Sequence, residues 1–256
     1  MESLPVAVIT GASSGIGRAT AIYFAGKKYR LALCGRNEEA LNECVQSCLK
    51  EGITKDQVTT TIGDLREEAV GKKLIENAVN VFGRIDVLVN AAGILVNGCV
   101  DSTPITEYDR QFDVNVRSII VLTQFALPYI KKTKGAIVNV SSVAGTRSFP
   151  NAAYYCMSKA ALDQFTKCLA LEVAPEVRVN SVNPGVIVTE IHKRAGMDES
   201  TYAAFLEKCK STHILGRAGE DIEVAKAIYF LASDMSSFTT GELLHVDGGR
   251  NLMCPR

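Results

Sequence analysis

The chain carries no excess of either charge: 28 basic and 28 acidic side chains cancel to a formal net charge of +0. Proteins that hold a polyanion present a basic excess or stripe, so nucleic acid is disfavoured as a partner. Long apolar runs are missing too. The longest mostly apolar stretch, Ser118 to Ile130, is interrupted by Thr123, Gln124 and Pro128 and falls short of the ~20 residues a membrane span needs. Histidine is scarce. His192, His213 and His245 stand apart without metal-ligand spacing and read as core or surface residues, with His192 alone placed to touch a substrate. The eight cysteines include no Cys-x-x-Cys pair, and Cys44 and Cys48 have no neighbouring histidine. No metal site is expected, and most of these thiols read as small buried hydrophobes.

No Pro/Gly/Ser-rich linker, charge block or internal repeat divides the 256 residues, so residues 1-256 read as one domain. A first strand beginning near Pro5 leaves no room for a leader peptide. Met253-Cys254-Pro255-Arg256 fits neither a prenylation box nor a peroxisomal signal. Reduced thiols and a cytoplasmic location are the expectation.

What is present is alternation. Strand-like runs at Val6–Thr10, Arg30–Cys34, Val58–Thr61, Ile85–Val89, Ala136–Val140, Val177–Val182 and Leu243–Val246 are separated by segments of helical spacing. Those segments are Ile16–Gly26, Glu38–Lys50, Glu67–Val81, Tyr108–Lys131, Ala152–Val173 and Asp221–Ser233. Strands joined through helices imply a parallel sheet covered on both faces: a doubly wound α/β Rossmann fold, a three-layer sandwich with seven strands. The stretch from Val186 to Leu215 breaks the pattern, with a helical core from Ser200 to Lys210. A long excursion near the end of such a sheet reads as a variable substrate lid, 186-215.

The first strand runs straight into Gly11-Ala12-Ser13-Ser14-Gly15-Ile16-Gly17 and then a helix. Glycines there allow a tight turn and close approach of backbone to a pyrophosphate, which the helix N-terminus attracts. After the second strand, where an NAD site places Asp or Glu, the chain reads Gly35-Arg36-Asn37. A guanidinium can pair with a 2′-phosphate and stack on adenine, so Arg36 favours NADP(H) over NAD(H). Asp64, in Gly63-Asp64-Leu65, could accept from the adenine amino group, and Asn90-Ala91-Ala92-Gly93 would pass close to the ribose. Each lies at the carboxyl end of a strand, where open parallel sheets bind ligands.

Tyr155 and Lys159 are four apart on one helical pattern, a phenol and an ammonium on the same face. The spacing alone means little, because Tyr23 and Lys27 repeat it. Company separates the two pairs: Ser142 ends the fifth strand, 13 residues before Tyr155, and Asn115 lies in the long helical segment before that strand.

Over essentially its whole length the chain resembles the short-chain dehydrogenase/reductases of about 250 residues. The resemblance rests on Thr10-Gly11-x3-Gly15-x-Gly17, Asp64-Leu65, Asn90-Ala91-Ala92-Gly93, Asn115, Ser142, Tyr155-x3-Lys159, Pro184-Gly185 and Asp247-Gly248-Gly249, in order. Ala91 is the one departure, where many members have a second Asn. The resemblance implies a catalytic tetrad of Asn115, Ser142, Tyr155 and Lys159. Tyr155 exchanges a proton with the substrate oxygen, Ser142 steadies that oxygen, Lys159 and the oxidised nicotinamide's positive charge lower the phenol's pKa, Lys159 holds the nicotinamide ribose, and Asn115 holds the long helix open. It also implies cofactor contacts at Ser13, Ser14 and Ile16 on the turn, and at Ile187 and Thr189 after Pro184-Gly185. Leu65 and Asn37 belong to the same expected surface.

The function so implied is NADP(H)-dependent transfer of a hydride between nicotinamide and a ketone or secondary alcohol. Within the family the chain looks most like 3-oxoacyl-carrier-protein reductases and tropinone-reductase-like members. An alcohol or sterol dehydrogenase is the alternative reaction, and a non-catalytic NADP(H) sensor or scaffold the alternative of another class. The substrate walls would be Leu95 to Ser102, Val143 to Asn151 and the 186-215 lid, with Val143, Phe149, Ile191, Met197 and Phe205 making them apolar. Cys99 and Cys156 could lie beside the substrate. The family's habit implies a homotetramer, with a dimer second.

Overall fold

Burial on both faces explains why the central strands read as mostly apolar runs. In a computed structural model that describes residues 4–253, β1 (Val6–Thr10) is wholly buried. Ala7 and Ile9 project into one hydrophobic cluster, while Val6 and Val8 project into the other. β2 (Arg30–Gly35) divides the same way, with Leu31 and Leu33 on one side and Ala32 and Cys34 on the other. Alternation of Cβ direction along a strand makes this split unavoidable. Cys254, Pro255 and Arg256, read above from the sequence, lie outside the described residues.

The remaining strands are β3 (Val58–Ile62), β4 (Val87–Asn90), β5 (Ala136–Val140), β6 (Arg178–Pro184) and β7 (Leu243–Val246). All pair in parallel, in the order β3-β2-β1-β4-β5-β6-β7. Helices α1 (Gly15–Gly26), α2 (Glu38–Lys50) and α9 (Asp221–Ala232) cover one face, burying Phe24, Leu41 and Ile228. Helices α3 (Glu68–Phe82), α5 (Ser118–Thr133) and α6 (Ala153–Val173) cover the other, around Leu74, Leu122 and Leu169. The seven-stranded doubly wound sandwich expected from the sequence is the observed fold. The chain winds from β1 out to β3 on one side and then from β4 out to β7 on the other, so the order reverses between β1 and β4, and their carboxyl ends mark the switch point where such sheets bind ligands.

Two expectations change. The Tyr108–Lys131 segment is not one regular helix. It runs as α4 (Ile105–Phe112), a π-helical turn at Asp113–Arg117, and α5. The lid holds two helices, α7 (Ile191–Arg194) and α8 (Glu199–Thr212), rather than one from Ser200 to Lys210. Elsewhere the boundaries move by one or two residues. No described helix is long and apolar enough to cross a membrane.

Candidate active site

The glycine-rich turn is built by exclusion. Gly11 has φ +65°, and a Cβ on it would lie 2.9 Å from the Ala91 carbonyl oxygen. A Cβ on Gly17 would sit 2.4 Å from the Gly11 carbonyl oxygen, so α1 can start this close to β1 only without one. Ser14 caps α1 in extended backbone without a side-chain capping bond, and the first turn carries no acidic residue. The amides and positive dipole end of α1 are thus left to an anion. Thr10 positions the facing loop: its Oγ1 accepts from the Ala91 and Ala92 amides at 3.0 and 3.1 Å. Gly15 lies beside Thr189, whose Cγ2 would be 3.1 Å from a Cβ there. Ser13 and Ile16 flank the same turn, both half-buried.

Beyond β2, Arg36 is exposed and makes no ion pair among the described residues. Asn37 has a local task, accepting from the Ala40 amide at 2.9 Å as the cap of α2. Asp64 is already engaged. Arg66 binds its Oδ2 through Nη2 at 2.9 Å and Nε at 3.1 Å, and Oδ1 accepts the Arg66 amide. This pairing, with Arg36 nearby, holds the Asp64 carboxyl below its ordinary value despite the opposing effect of burial. An adenine amino group would therefore have to share that carboxylate. Leu65 packs against the core.

Asn90 is likewise turned inward. Its Nδ2 donates to Asn139 Oδ1 at 2.9 Å, and Asn139 passes the chain on to Thr166 Oγ1 at 2.9 Å. It ties β4, β5 and α6 together beneath the site. Gly93, three residues on, faces Asn115 Oδ1 and Lys159 Nζ, 3.3 and 3.5 Å from where its Cβ would stand.

The structure brings all four expected catalytic side chains together. Asn115 is fully buried in the π turn, its amide gripping the Ile94 backbone: Oδ1 accepts the Ile94 N–H and Nδ2 donates to the Ile94 carbonyl, both at 2.9 Å. The same Nδ2 reaches Ser158 Oγ at 3.0 Å on α6. A π turn allows this aim, and such turns concentrate at functional sites. Lys159 Nζ donates to the Val140 carbonyl at 2.9 Å and lies 5.7 Å from the Tyr155 ring centre. Ser142 hydrogen-bonds the Tyr155 phenol and caps the Val143–Gly145 turn through the Ala144 amide at 3.1 Å.

The electrostatics differ from the expectation. Lys159 does not draw the phenol toward neutrality: burial pushes Tyr155 up to about 12, against the lowering from the Ser142 bond. Burial also pushes Lys159 down to about 8, with the Asp163 carboxylate opposing. For both groups desolvation is the largest effect.

At the end of β6, Pro184 and the following Gly185 are held against the last strand and the lid. A Cβ on Gly185 would lie 2.9 Å from Asp247 Cα and 3.0 Å from His213 Nε2. His213 is buried and accepts the Val186 amide at 3.2 Å, a latch that its sequence position did not reveal. Ile187 is buried and pairs with Gly219, and the Thr189 carbonyl accepts the Tyr202 hydroxyl at 3.0 Å. His192 packs on Phe205, 4.6 Å between ring centres. Arg194, from α7, donates to Ser14 Oγ at 3.1 Å and so brings the lid onto the phosphate turn. Cys99 is exposed, with Sγ 2.8 Å from Asn151 Oδ1, which stitches two of the expected substrate walls together, and Cys156 is half-buried. No metal-binding cluster exists among the described residues.

Residues 11–251 match a family model described as enoyl-(acyl carrier protein) reductase. The 3-oxoacyl-[acyl-carrier-protein] reductase FabG of Thermotoga maritima is 38% identical over 246 residues, covering 95% of this chain and 96% of that protein. Meso-2,3-butanediol dehydrogenase of Serratia marcescens is 36% identical over 245 residues, covering 95% of this chain and 93% of that one. Among solved structures, a short-chain dehydrogenase/reductase of unknown function from Caenorhabditis elegans, with cofactor, aligns at TM-score 0.92 and 36% identity over 98% of this chain and 96% of its own. ElxO with NADP bound aligns at 0.88 and 31% identity, over 98% of this chain and all of its own.

Proposed function

The chain belongs to the short-chain dehydrogenase/reductase family of oxidoreductases, and from that premise we propose that it is an NADP(H)-dependent reductase of ketones, including 3-oxoacyl groups. The observation that carries the reading is the Tyr155 phenol, hydrogen-bonded to Ser142 beside Lys159, at the carboxyl end of the sheet.

The residues present fit a phosphorylated dinucleotide. The Gly11–Gly17 cradle admits backbone where any side chain would collide, and α1 opens with no acid. Ser13, Ser14, Gly15 and Ile16 would hold the pyrophosphate, and Arg36 the 2′-phosphate. Asp64, Leu65, Asn90, Ala91 and Gly93 would border the adenosine and ribose, and Pro184, Gly185, Ile187 and Thr189 the nicotinamide. When bound, the nicotinamide supplies the hydride.

The protein's own part is to hold an oxygen and deliver a proton. Ser142 Oγ donates to the substrate carbonyl oxygen and steadies the charge that develops there. Tyr155 Oη gives its proton to that oxygen. Burial keeps the phenol protonated throughout the neutral range, as a general acid must be. Lys159, set near pH 8, can then return a proton to the phenolate. Asn115 fixes the π turn that opens the space beside Lys159. The 186-215 segment closes over the substrate, with Arg250 joining its end to the opposite wall: Nη1 donates to Thr212 Oγ1 at 2.8 Å, and the guanidinium lies 5.0 Å from the Phe149 ring centre.

The thiols in the described residues are all unpaired, which fits a cytoplasmic site of action. A homotetramer fits the exposed Leu171 on α6 and the fully exposed Phe238 before edge strand β7. The test is consumption of NADPH and NADH, by absorbance, against ketones, diketones, 3-oxoacyl thioesters and 3-oxosteroids. NADPH oxidised well above NADH on at least one of them is the expected result. Binding of NADPH with no turnover on any would favour the sensor reading instead.

A further inference from the structure

A buried carboxylate needs partners, because removing it from water without them costs several kcal/mol. Asp163 lies one turn after Lys159 on α6 and is only 4% exposed, yet the proposed chemistry leaves it idle. Its surroundings are specific. From β6, Asn183 Nδ2 donates to both of its oxygens, at 3.1 and 2.9 Å, and to the Ser142 carbonyl at 3.0 Å. From the end of β5, the Ser141 hydroxyl donates to the Lys159 carbonyl at 3.3 Å and is close enough to the carboxylate to lower its pKa. From β7, the His245 ring adds an electrostatic contact. From the turn above, Gly145 presents bare backbone, and a Cβ there would lie 2.1 Å from Asp163 Oδ2. Asn183 is itself fixed, its Oδ1 accepting from Ser181 Oγ.

We infer that Asp163 is a positioning residue of the reaction: through Asn183 its carboxylate fixes the main chain of Ser142 against the Tyr155–Lys159 helix, and its charge stands behind Lys159. The inference rests on the reaction proposed above. Three sheet strands and the catalytic helix meet at one carboxylate, and the residue whose hydroxyl touches Tyr155 hangs from the same amide. Without Asp163, Asn183 Nδ2 loses two of its three acceptors, and the Ser142 loop loses one of its ties to α6. The carboxylate forms no ion pair with Lys159 within 4 Å among the described residues, so its influence on the amine is through space. Tyr155, Asn115 and the Val140 carbonyl, the other groups around that amine, bring no negative charge of their own. Burial raises the Asp163 carboxyl above its ordinary value against the lowering by Ser141, Asn183, Lys159 and His245, and Asp163 in turn raises Lys159 against the effect of burial.

Two variants separate its two actions. In Asp163→Asn the charge is gone, and the pH at which Lys159 loses its proton, followed by NMR of 15N-labelled lysine, should fall by about one unit. That readout needs no substrate, so it stands even if the reaction is assigned wrongly. In Asn183→Ala the carboxylate stays but the link to Ser142 is cut: kcat should fall about tenfold, with KM for the cofactor little changed. An unmoved titration in Asp163→Asn, or an unmoved kcat in Asn183→Ala, overturns the inference. If Asp163→Asn does not fold, Asp163→Glu takes its place, and it should keep the Lys159 titration while lowering kcat; a Glu variant with wild-type kcat would overturn it equally.

Discussion

Arg36 and Asp64 show how far single residues could be read. Arg36 is assigned to the 2′-phosphate because an acid is missing where an NAD site needs one, and its guanidinium makes no ion pair among the described residues. Asp64 was legible only in part. Its partner Arg66 stands two residues on, a spacing typical of an aspartate turn, and that signal could have been taken from the sequence. Asp163 and His213 were not legible, since their partners lie 20 and 27 positions away and only the folded sheet brings them together. Arg36→Asp sets a carboxylate against the 2′-phosphate. It should raise Kd for NADPH at least about tenfold, near 1.4 kcal/mol, while NADH binding holds or improves. Equal weakening of both cofactors, by fluorescence titration, would remove Arg36 from the 2′-phosphate site.

At the level of elements, strands were the easiest to find. Burial on both faces writes the central strands as apolar runs, and β1, β5 and β7 stand where the sequence put them. The break in the Tyr108–Lys131 segment was hidden. Nothing local marks it, because the π turn is held by Asn115 reaching back to Ile94, a contact 21 positions away. The opening of α1 was legible through its glycines, and there the space is unforgiving. Gly17→Ala would drive a methyl against the Gly11 carbonyl at 2.4 Å, so backbone rather than a flexible side chain must move. Overpacking of that kind costs about 1–3 kcal/mol. Both a lower melting temperature and a loss of dinucleotide binding are expected, and calorimetry beside cofactor titration checks the pair. A variant that binds NADPH like the wild type would contradict the cradle.

The whole molecule carries the burden of its site in its pH dependence. Lys159 titrates near 8 when folded and at its ordinary 10.5 when unfolded. Between those values the unfolded chain binds more protons, so this group's contribution to stability rises with pH. The penalty is therefore full below pH 8, on the order of 3 kcal/mol, and is relieved toward pH 10.5. Tyr155 acts in the opposite sense. Its folded value near 12 exceeds the ordinary 10, so its stabilisation is full below pH 10 and lost as pH rises through 12. Lys159→Met should thus gain stability relative to wild type at pH 7, and the gap should narrow by pH 10. A gap independent of pH would mean that Lys159 is not held near 8.

The central claim is that Tyr155 is the proton donor in an NADPH-dependent reduction, and Tyr155→Phe tests it with the smallest change. NADPH consumption is followed for wild type and variant on the best ketone of the panel, alongside NADPH binding by fluorescence. The account predicts that kcat falls by at least about 10²-fold, in line with the loss of a positioned acid, while Kd for NADPH stays within a factor of about three. Turnover by the variant near the wild-type rate would contradict it.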